Sequence, residues 1–295
     1  MTEKTPAEIL ELAQQRIAAR QVEEKTLNFV ARSAQLDQNK PWRIAFFSLL
    51  GLLLGALFLI PGQPLDERMA AILHGLCSQQ HNTTLGGLTF PICTRCSSIY
   101  ISAMLTFGYL WALGRRRAGR IPPWPITVFL VSFVLALALD GFNSFFAELN
   151  LPKLYPPLNE LRSLTGMGMG ITEAIFLALM LNLSLGKDVD QNQPILQNWR
   201  ELGSLIALNL LTLVAIYGHL DFLAWPLAFL AFLGMLFILF LINLLIVSLI
   251  LSYDGLITRV PQLAKPAIFA IFLTLIIVSA TSTLRFWLEW QVALH

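Results

Sequence analysis

Five residues with metal-binding or redox side chains lie close together in one stretch of the sequence, between two long apolar runs. Residues 74–100 contain all three cysteines of the chain and two of its four histidines. The last two cysteines have C-x-x-C spacing, which brings two thiols together. Such side chains coordinate zinc and similar soft metals, or exchange electrons as thiols and disulfides. The candidate metal ligands are Cys77, Cys93, Cys96, His74 and His81.

The odd number of cysteines makes a shared metal site an alternative to a disulfide. Three thiols in an oxidising compartment allow one disulfide and leave one thiol over. The first cysteine can return to the C-x-x-C pair through a turn at Gly86-Gly87. Either histidine then completes a tetrahedral site with three cysteines, which suits zinc. Two alternatives stay open: a structural or redox disulfide within the C-x-x-C pair, and three reduced cysteines that pack as small apolar side chains.

Pro91 suits the first turn of a helix, because proline lacks the N–H group that this position leaves unpaired. The sequence therefore predicts a helix that begins near Pro91, with the C-x-x-C thiols at its N-terminus. Free amide donors and the positive end of the helix dipole lower the pKa of thiols there, and Arg95 adds a positive charge. We expect thiolate character at Cys93 and Cys96.

The composition of the whole chain is that of a membrane protein. Of 295 residues, 56% are hydrophobic and only 13% are charged. Uncharged apolar runs are long enough to cross a hydrocarbon core of about 30 Å. We therefore predict an all-α, polytopic fold with about seven transmembrane helices. The predicted spans are 44–60, 91–113, 124–147, 163–186, 202–225, 226–252 and 267–288.

Basic residues predict the orientation, since Lys and Arg in short loops mark the cytoplasmic side. They collect before the first span, after the second, and between the sixth and seventh, which is one side of a seven-span protein. The N-terminus is then cytoplasmic in a multi-pass protein of the plasma membrane. The C-terminus and the loop at residues 61–90, which we call the cysteine loop, are exoplasmic. The basic residues are Lys25, Arg32, Lys40, Arg43, Arg115, Arg116, Arg117, Arg120, Arg259 and Lys265.

The N-terminal segment is predicted to form an amphipathic helix over residues 5–36. Thr5 is a suitable cap, Pro6 suits the first turn, and Glu8 reaches back to the cap. The polar features lie almost entirely before residue 187. The predicted organisation is a cytoplasmic helix at 1–43, a four-span core at 44–186, a cytoplasmic linker at 187–201 and a three-span half at 202–295.

A second group of polar residues is expected near the outer ends of spans three and four. Asp140 is costly at that depth without a partner, and Arg162 is its natural partner. Glu173 lies about two turns deeper, so all three are candidate catalytic residues of one outward polar cavity. A buried ion pair that fixes helix register is the structural alternative. Gly166 and Gly170 form a small face for close helix packing.

The C-terminal half has few polar residues, and we expect structural roles for them. Asn243 in span six predicts a hydrogen bond between helices. Arg285 and Glu289 have the i,i+4 spacing of a surface ion pair that contributes little to stability. We assign none of these three to a site.

Several separated motifs together resemble a family of uncharacterised prokaryotic membrane proteins, domain of unknown function 2085. They are Cys77-Ser78-Gln79, the run from Pro91 to Tyr100, Leu139-Asp140-Gly141 and the stretch from Asn159 to Gly170. The resemblance covers about residues 70–185. It implies a membrane protein and points to Cys77, Gln79, Cys93, Arg95, Cys96, Tyr100, Asp140, Asn159, Arg162 and Thr165.

The chain departs from this family pattern at two positions. Ser78 lies where the family often has histidine, and Ser98 lies where it has glycine. The first departure removes a fourth ligand, so that His74 or His81 has to replace it in a zinc site.

Three functions stay open at this point. The first is an outer-face metal site of the kind that zinc prefers, with cysteine and histidine ligands, which is structural or supports hydrolysis of a lipid-like substrate. The second is a quinone-linked thiol oxidoreductase. The third is a non-enzymatic accessory subunit, with membrane lipid and other membrane-protein subunits as partners. Nucleic acid is excluded as a partner, because the net charge of +2 comes without a dense basic face.

Overall fold

The computed structural model describes residues 40–59 and 61–293, together with residues 15, 16, 19, 20 and 23. The predicted amphipathic helix at 5–36 lies outside the described residues, except for those five, which are helical.

The described part of the chain folds into α-helices, and three of the connections between them contribute strands to two small sheets. The helices are α1 (Lys40–Leu59), α2 (Leu65–Ile72), α3 (Thr94–Ala112), α4 (Trp124–Glu148), α5 (Asn159–Leu185), α6 (Trp199–Tyr217), α7 (Ala224–Ile250) and α8 (Ala264–Ala293). The strands are β1 (Asn82–Leu85), β2 (Leu88–Cys93), β3 (Ala118–Arg120) and β4 (Asp190–Pro194). β1 pairs antiparallel with β2, and β3 pairs parallel with β4.

The all-α membrane fold predicted from the sequence is confirmed. Among the described residues, six helices are long and apolar enough to cross a membrane. The remaining predicted span, 91–113, corresponds to α3, which carries Arg95 and several buried hydroxyl side chains. These hydroxyls lie inside the bundle, and Thr106 donates to the carbonyl oxygen of Ser102 at 2.7 Å. A helix enclosed by other helices needs less apolar surface than one that faces lipid.

One end of the bundle collects the basic residues. Pairing of β3 with β4 places the C-terminal ends of α3 and α5 side by side. Arg115 Nη2 lies 2.6 Å from Glu201 Oε1, which joins the end of α3 to the start of α6. The ring of Trp42 contacts Phe269 and Lys265, so α1 and α8 begin together. We call this the basic end, with Lys40, Arg43, Arg115, Arg116, Arg117, Arg120, Lys187, Arg200, Arg259 and Lys265.

The ends of α5 and α7 also meet at the basic end. The amide of Gly255 donates to Ser184 O at 3.0 Å, and that of Lys187 donates to Ile257 O at 2.9 Å, shortly before α8 begins. Leaving out the short α2, successive helices from α1 to α8 therefore alternate in direction, as successive membrane crossings do. Their other ends form what we call the cysteine end, which contains residues 61–100, 140–165, 217–223 and 282–293.

Glycines let α3 lie in backbone contact with two neighbouring helices. A Cβ atom at Gly166 or Gly170 of α5 would lie 2.6 or 2.0 Å from a carbonyl oxygen of α3. A Cβ atom at Gly234 of α7 would lie 2.6 Å from another carbonyl oxygen of α3. The predicted packing face at Gly166 and Gly170 is confirmed, and Gly234 extends it to a second helix.

Helix α1 packs at the edge of the bundle, against α8. Every described side chain of α1 is at least partly exposed, and α1 contacts α8 through Trp42 and Phe269 rather than packing inside the α3–α5 core.

The predicted interhelical bond of Asn243 is confirmed, because its Nδ2 donates to Thr274 Oγ1 of α8 at 2.9 Å.

Replacing Gly170 by alanine is expected to destabilise the protein by about 1–3 kcal/mol, because α3 and α5 must move apart. The control is Gly108→Ala in α3, where a Cβ atom meets nothing within 4 Å and alanine favours the helix. Thermal unfolding of both variants in mild detergent provides the measurement. Equal melting temperatures for the two variants would contradict the close approach of α3 and α5.

Candidate metal centre

A tight hairpin brings Cys77 and the C-x-x-C pair together. Gly86 and Gly87 both have positive φ, of 56° and 78°, and they join β1 to β2 with Leu85 opposite Leu88. Two residues with positive φ match the right-handed twist of the strands, and glycine adopts this conformation without steric cost. The predicted return of the chain at Gly86-Gly87 is confirmed.

The helix that carries the cysteines begins later than predicted. Pro91 lies in β2, and α3 begins at Thr94 with Cys93 as its N-cap residue. The prediction of a helix start at Pro91 was wrong, because pairing with β1 keeps the chain extended as far as Cys93. Cys96 lies in the first turn of α3, so the C-x-x-C pair is still at a helix N-terminus.

The three sulfurs converge. The Sγ atoms of Cys77, Cys93 and Cys96 lie within 4.8 Å of one another, and none of them forms a disulfide. The backbone N–H of Cys93 donates to the Sγ of Cys77 at 3.2 Å. Zn–S bonds of about 2.3 Å in a tetrahedron separate neighbouring sulfurs by about 3.8 Å. A small movement of the thiols is therefore enough to accept an ion of this size.

Apolar side chains surround the sulfurs on the side that faces α2 and α7. Cys77 is buried, and Cys93 and Cys96 are half-buried. The cluster around them takes Phe90 and Ile92 from β2 and further side chains from α2 and α7. The other members include Met69, Leu73, Leu85, Leu88, Ala228, Ala231, Phe232 and Met235, with Tyr100 packed against them.

The close approach of the three thiols shifts their pKa values in opposite directions. Bonds from the thiols of Cys93 and Cys96 hold the pKa of Cys77 well below its ordinary value, despite its burial. The same bond to Cys77 raises the pKa of Cys93. The lowered pKa predicted for Cys93 was therefore wrong, because Cys77 is the sulfur that accepts the hydrogen bonds. Metal binding at such a site displaces the remaining thiol protons.

Neither candidate histidine belongs to the group of donor atoms. Within the described chain, the one group of three or more His, Cys, Asp or Glu donor atoms that lie within 4.8 Å of one another is formed by the three sulfurs. His74 Nδ1 lies 2.9 Å from Gln79 Oε1, its Nε2 lies 2.8 Å from Glu289 Oε2, and its ring stacks on Phe286. His81 is exposed, with Nε2 4.0 Å from a carboxylate oxygen of Glu148. The structure thus places both ring nitrogens of His74 against other oxygen atoms.

Gln79 connects the elements that hold the cysteines. Its Nε2 donates to the carbonyl oxygens of Ala70 and Pro91, at 2.7 and 2.8 Å. These bonds tie α2 to β2, and Gln79 itself has a φ of 56°. Family resemblance pointed to Gln79, and its contacts give it a role in positioning Cys77 next to Cys93.

The last helix holds the cysteine loop through a contact that sequence reasoning missed. Arg285 donates to the carbonyl oxygens of His74, Cys77 and Ser78, with distances of 2.7 Å to His74 and 3.0 Å to Ser78. The predicted pair of Arg285 with Glu289 does form, at 2.8 Å, but it is part of this attachment. The sequence feature that points to this contact is the charged pair of Arg285 and Glu289 near the C-terminal end of the last span.

Asp140 pairs with Arg95 rather than with the predicted Arg162. Arg95 Nη2 and Nε lie 2.5 and 3.1 Å from Oδ2 of Asp140, whose side chain is 1% exposed. The hydroxyl of Tyr155 donates to Oδ1 at 2.9 Å, and Thr165 lies 3.4 Å from Oδ2. The predicted partner was wrong, because the first turn of α3 directs Arg95 towards α4. Arg162 instead donates to Asn159 of its own helix, at 3.3 Å.

The first turn of α3 separates the two groups of polar residues. Cys93 and Cys96 pack with α2, the hairpin and α7, while Arg95 reaches α4. Glu173 is a half-buried residue of α5, and it makes no hydrogen bond or ion pair with any described residue. Catalytic roles for Asp140, Arg162 and Glu173 stay predictions.

The motifs that carry the resemblance form one connected region around the first turn of α3. Residues 77–176 match the family model of a predicted membrane protein, DUF2085. The resemblance to this family of unknown function is thereby confirmed for that segment, which holds the three cysteines, Asp140 and Arg162. Neither a curated protein nor a solved structure matches the chain. The matched segment ends before α8, so the Arg285 attachment lies outside it.

Replacing Arg285 by glutamine is expected to loosen the cysteine loop. Hydrogen bonds to a charged group contribute about 1.5–3 kcal/mol each, so loss of even one increases local opening at least about tenfold. The measurement is the rate at which a thiol reagent modifies the three cysteines of the folded, metal-free protein. Lys153→Gln, at an exposed loop position, is the control. An unchanged rate in the Arg285 variant would show that α8 does not hold the loop.

Proposed function

We propose that this integral membrane protein binds a soft divalent metal, zinc first, through Cys77, Cys93 and Cys96. The observation that carries the proposal is the convergence of the three sulfurs, from two separate segments, within 4.8 Å and without a disulfide. Thiolates are the ligands that zinc and other soft metals prefer.

Groups around the sulfurs support the binding of a cation by three thiolates. The backbone N–H of Cys93 donates to Cys77 Sγ, and Arg285 holds the backbone at Cys77. Such donors partly offset the negative charge that three thiolates gather. A disulfide between two of these cysteines would require an S–S distance of about 2.05 Å and would leave the third sulfur unpaired.

The first role of the metal in this proposal is structural. Its ligands belong to the segment after α2, the end of β2 and the first turn of α3, so coordination cross-links these elements in apolar surroundings. Structural zinc sites have four protein ligands, whereas hydrolytic sites have three and keep one position for water. The three-sulfur set therefore also suits activation of water for hydrolysis of a lipid-like substrate at the cysteine end.

Metal analysis of the full-length protein, purified in mild detergent without chelators, is expected to give about one zinc per chain. Cys77→Ser should lose that metal, because it removes one of three ligands. His81→Ala is the matched control and should retain it, since His81 lies against Glu148. Wild-type protein without stoichiometric metal would overturn the proposal. If only one free thiol were then found after denaturation, a disulfide and the quinone-linked oxidoreductase would be favoured instead.

We further propose that the cysteine end faces the exoplasmic side of the plasma membrane. Supporting this, the basic residues of the short connections collect at the opposite end of the bundle, and such residues mark the cytoplasmic side. The C-terminus of α8 is then exoplasmic, like the cysteine loop.

A membrane-impermeant maleimide on intact cells tests the orientation. Lys153→Cys lies in an exposed loop of the cysteine end, and Gln191→Cys lies in exposed β4 at the basic end. We expect labelling of the first variant in intact cells and of the second only after permeabilisation. The parent protein measures the background from its three native cysteines. The reverse pattern would place the cysteine end in the cytoplasm.

A further inference from the structure

A polar cavity of about 480 Å³ opens at the cysteine end, on the side of α3 away from the sulfurs. It lies between the C-terminal end of α4, the N-terminal end of α5 and the start of the hairpin. Its floor and rim include Arg162, Ser144, Asn159, Glu148, Glu160 and His81.

Arg162 supplies a buried positive charge to this cavity. The residue is only 5% exposed, yet in the described chain its side chain makes a single hydrogen bond, from Nη1 to Asn159 Oδ1 at 3.3 Å. A guanidinium carries five N–H donors, and a buried cation without an anionic partner is costly. Arg95 has a carboxylate partner in Asp140, whereas Arg162 has none among the described residues. An anionic ligand in the cavity would provide one.

The N-terminus of α5 adds to the same positive field. Helix α5 has 27 residues and begins at Asn159 without a side-chain cap for its first amide groups. Leu158, Asn159 and Glu160 of this first turn all line the cavity. Unpaired amide donors and the positive end of the helix dipole bind phosphate groups at such positions. Together with Arg162, they suit a phosphate group better than a single carboxylate, because several donors converge.

The rim of the cavity has the opposite charge. Glu148 and Glu160 are exposed carboxylates, with His81 at 4.0 Å from Glu148. Two carboxylates at the entrance repel a ligand that is anionic throughout. They favour a ligand that carries a cationic group a few atoms away from its phosphate.

The connection from α4 to α5 exposes leucines beside the cavity. Leu149, Leu151 and Leu154 are 53%, 47% and 82% exposed. Clustered exposed apolar side chains at the end of a membrane span are typical of contact with lipid. We propose that the cavity binds the headgroup of a zwitterionic phospholipid such as phosphatidylethanolamine, with its phosphate at Arg162 and its ammonium group between Glu148 and Glu160. This site does not depend on metal at the cysteines.

Binding of short-chain phosphatidylethanolamine to the full-length protein in mild detergent, followed by native mass spectrometry, tests the assignment. Arg162→Gln is expected to weaken binding at least tenfold. Arg120→Gln, at an exposed position of the basic end, is the matched control and should bind like the wild type. A folded, monodisperse Arg162→Gln protein with wild-type binding would overturn the proposal.

A second variant keeps the proposal testable if Arg162→Gln does not fold. Glu148→Gln combined with Glu160→Gln changes exposed side chains, and it should reduce the preference for phosphatidylethanolamine over phosphatidylglycerol at least fivefold. An unchanged preference would overturn the ammonium assignment. Inorganic phosphate at millimolar concentration should not displace the lipid, and full displacement would show that the cavity binds free phosphate instead.

Discussion

The backbone contact of α3 with α5 and α7 is the constraint on which the rest of the structure depends. Glycines at 166, 170 and 234 leave no side chain between these helices, so carbonyl oxygens of α3 lie directly against their neighbours. Membrane helices gain little from hydrophobic burial against one another, and close packing at small residues replaces that driving force. This contact fixes the axial position and the rotation of α3, and with them the place of its first turn.

The first turn of α3 places its cysteines on one side of the helix and its arginine on another. Cys93 and Cys96 join Cys77 in apolar surroundings, and Arg95 between them forms a buried pair with Asp140 of α4. A buried carboxylate with one cationic and two hydroxyl partners is well satisfied, so this pair suits a role in register. Among the described residues Arg162 is consequently left without a carboxylate partner, and it lines a cavity whose rim is acidic. The polar groups of this end are thus divided between two opposite sides of α3.

The C-terminal helix gives the cysteine site a second support that the family-matched segment lacks. Arg285 donates hydrogen bonds to the carbonyl oxygens of His74, Cys77 and Ser78 in the cysteine loop, and Glu289 contacts His74 at the same time. Ser282 adds a bond to the backbone N–H of Gly75, at 3.0 Å. The C-terminal half, for which the sequence predicts only structural roles, therefore forms one wall of the candidate metal centre through α7 and α8.

The sequence by itself determined the features that depend on local composition and spacing. Long apolar runs predicted the spans, two adjacent glycines predicted the hairpin, and small residues one turn apart predicted a packing face. Only the tertiary structure decided the partners: Arg95 rather than Arg162 for Asp140, Glu289 and Gln79 for His74, and Arg285 for the cysteine loop. Span length is a property of one segment, whereas a partner depends on how far each helix is rotated, and packing between segments distant in the chain sets that rotation.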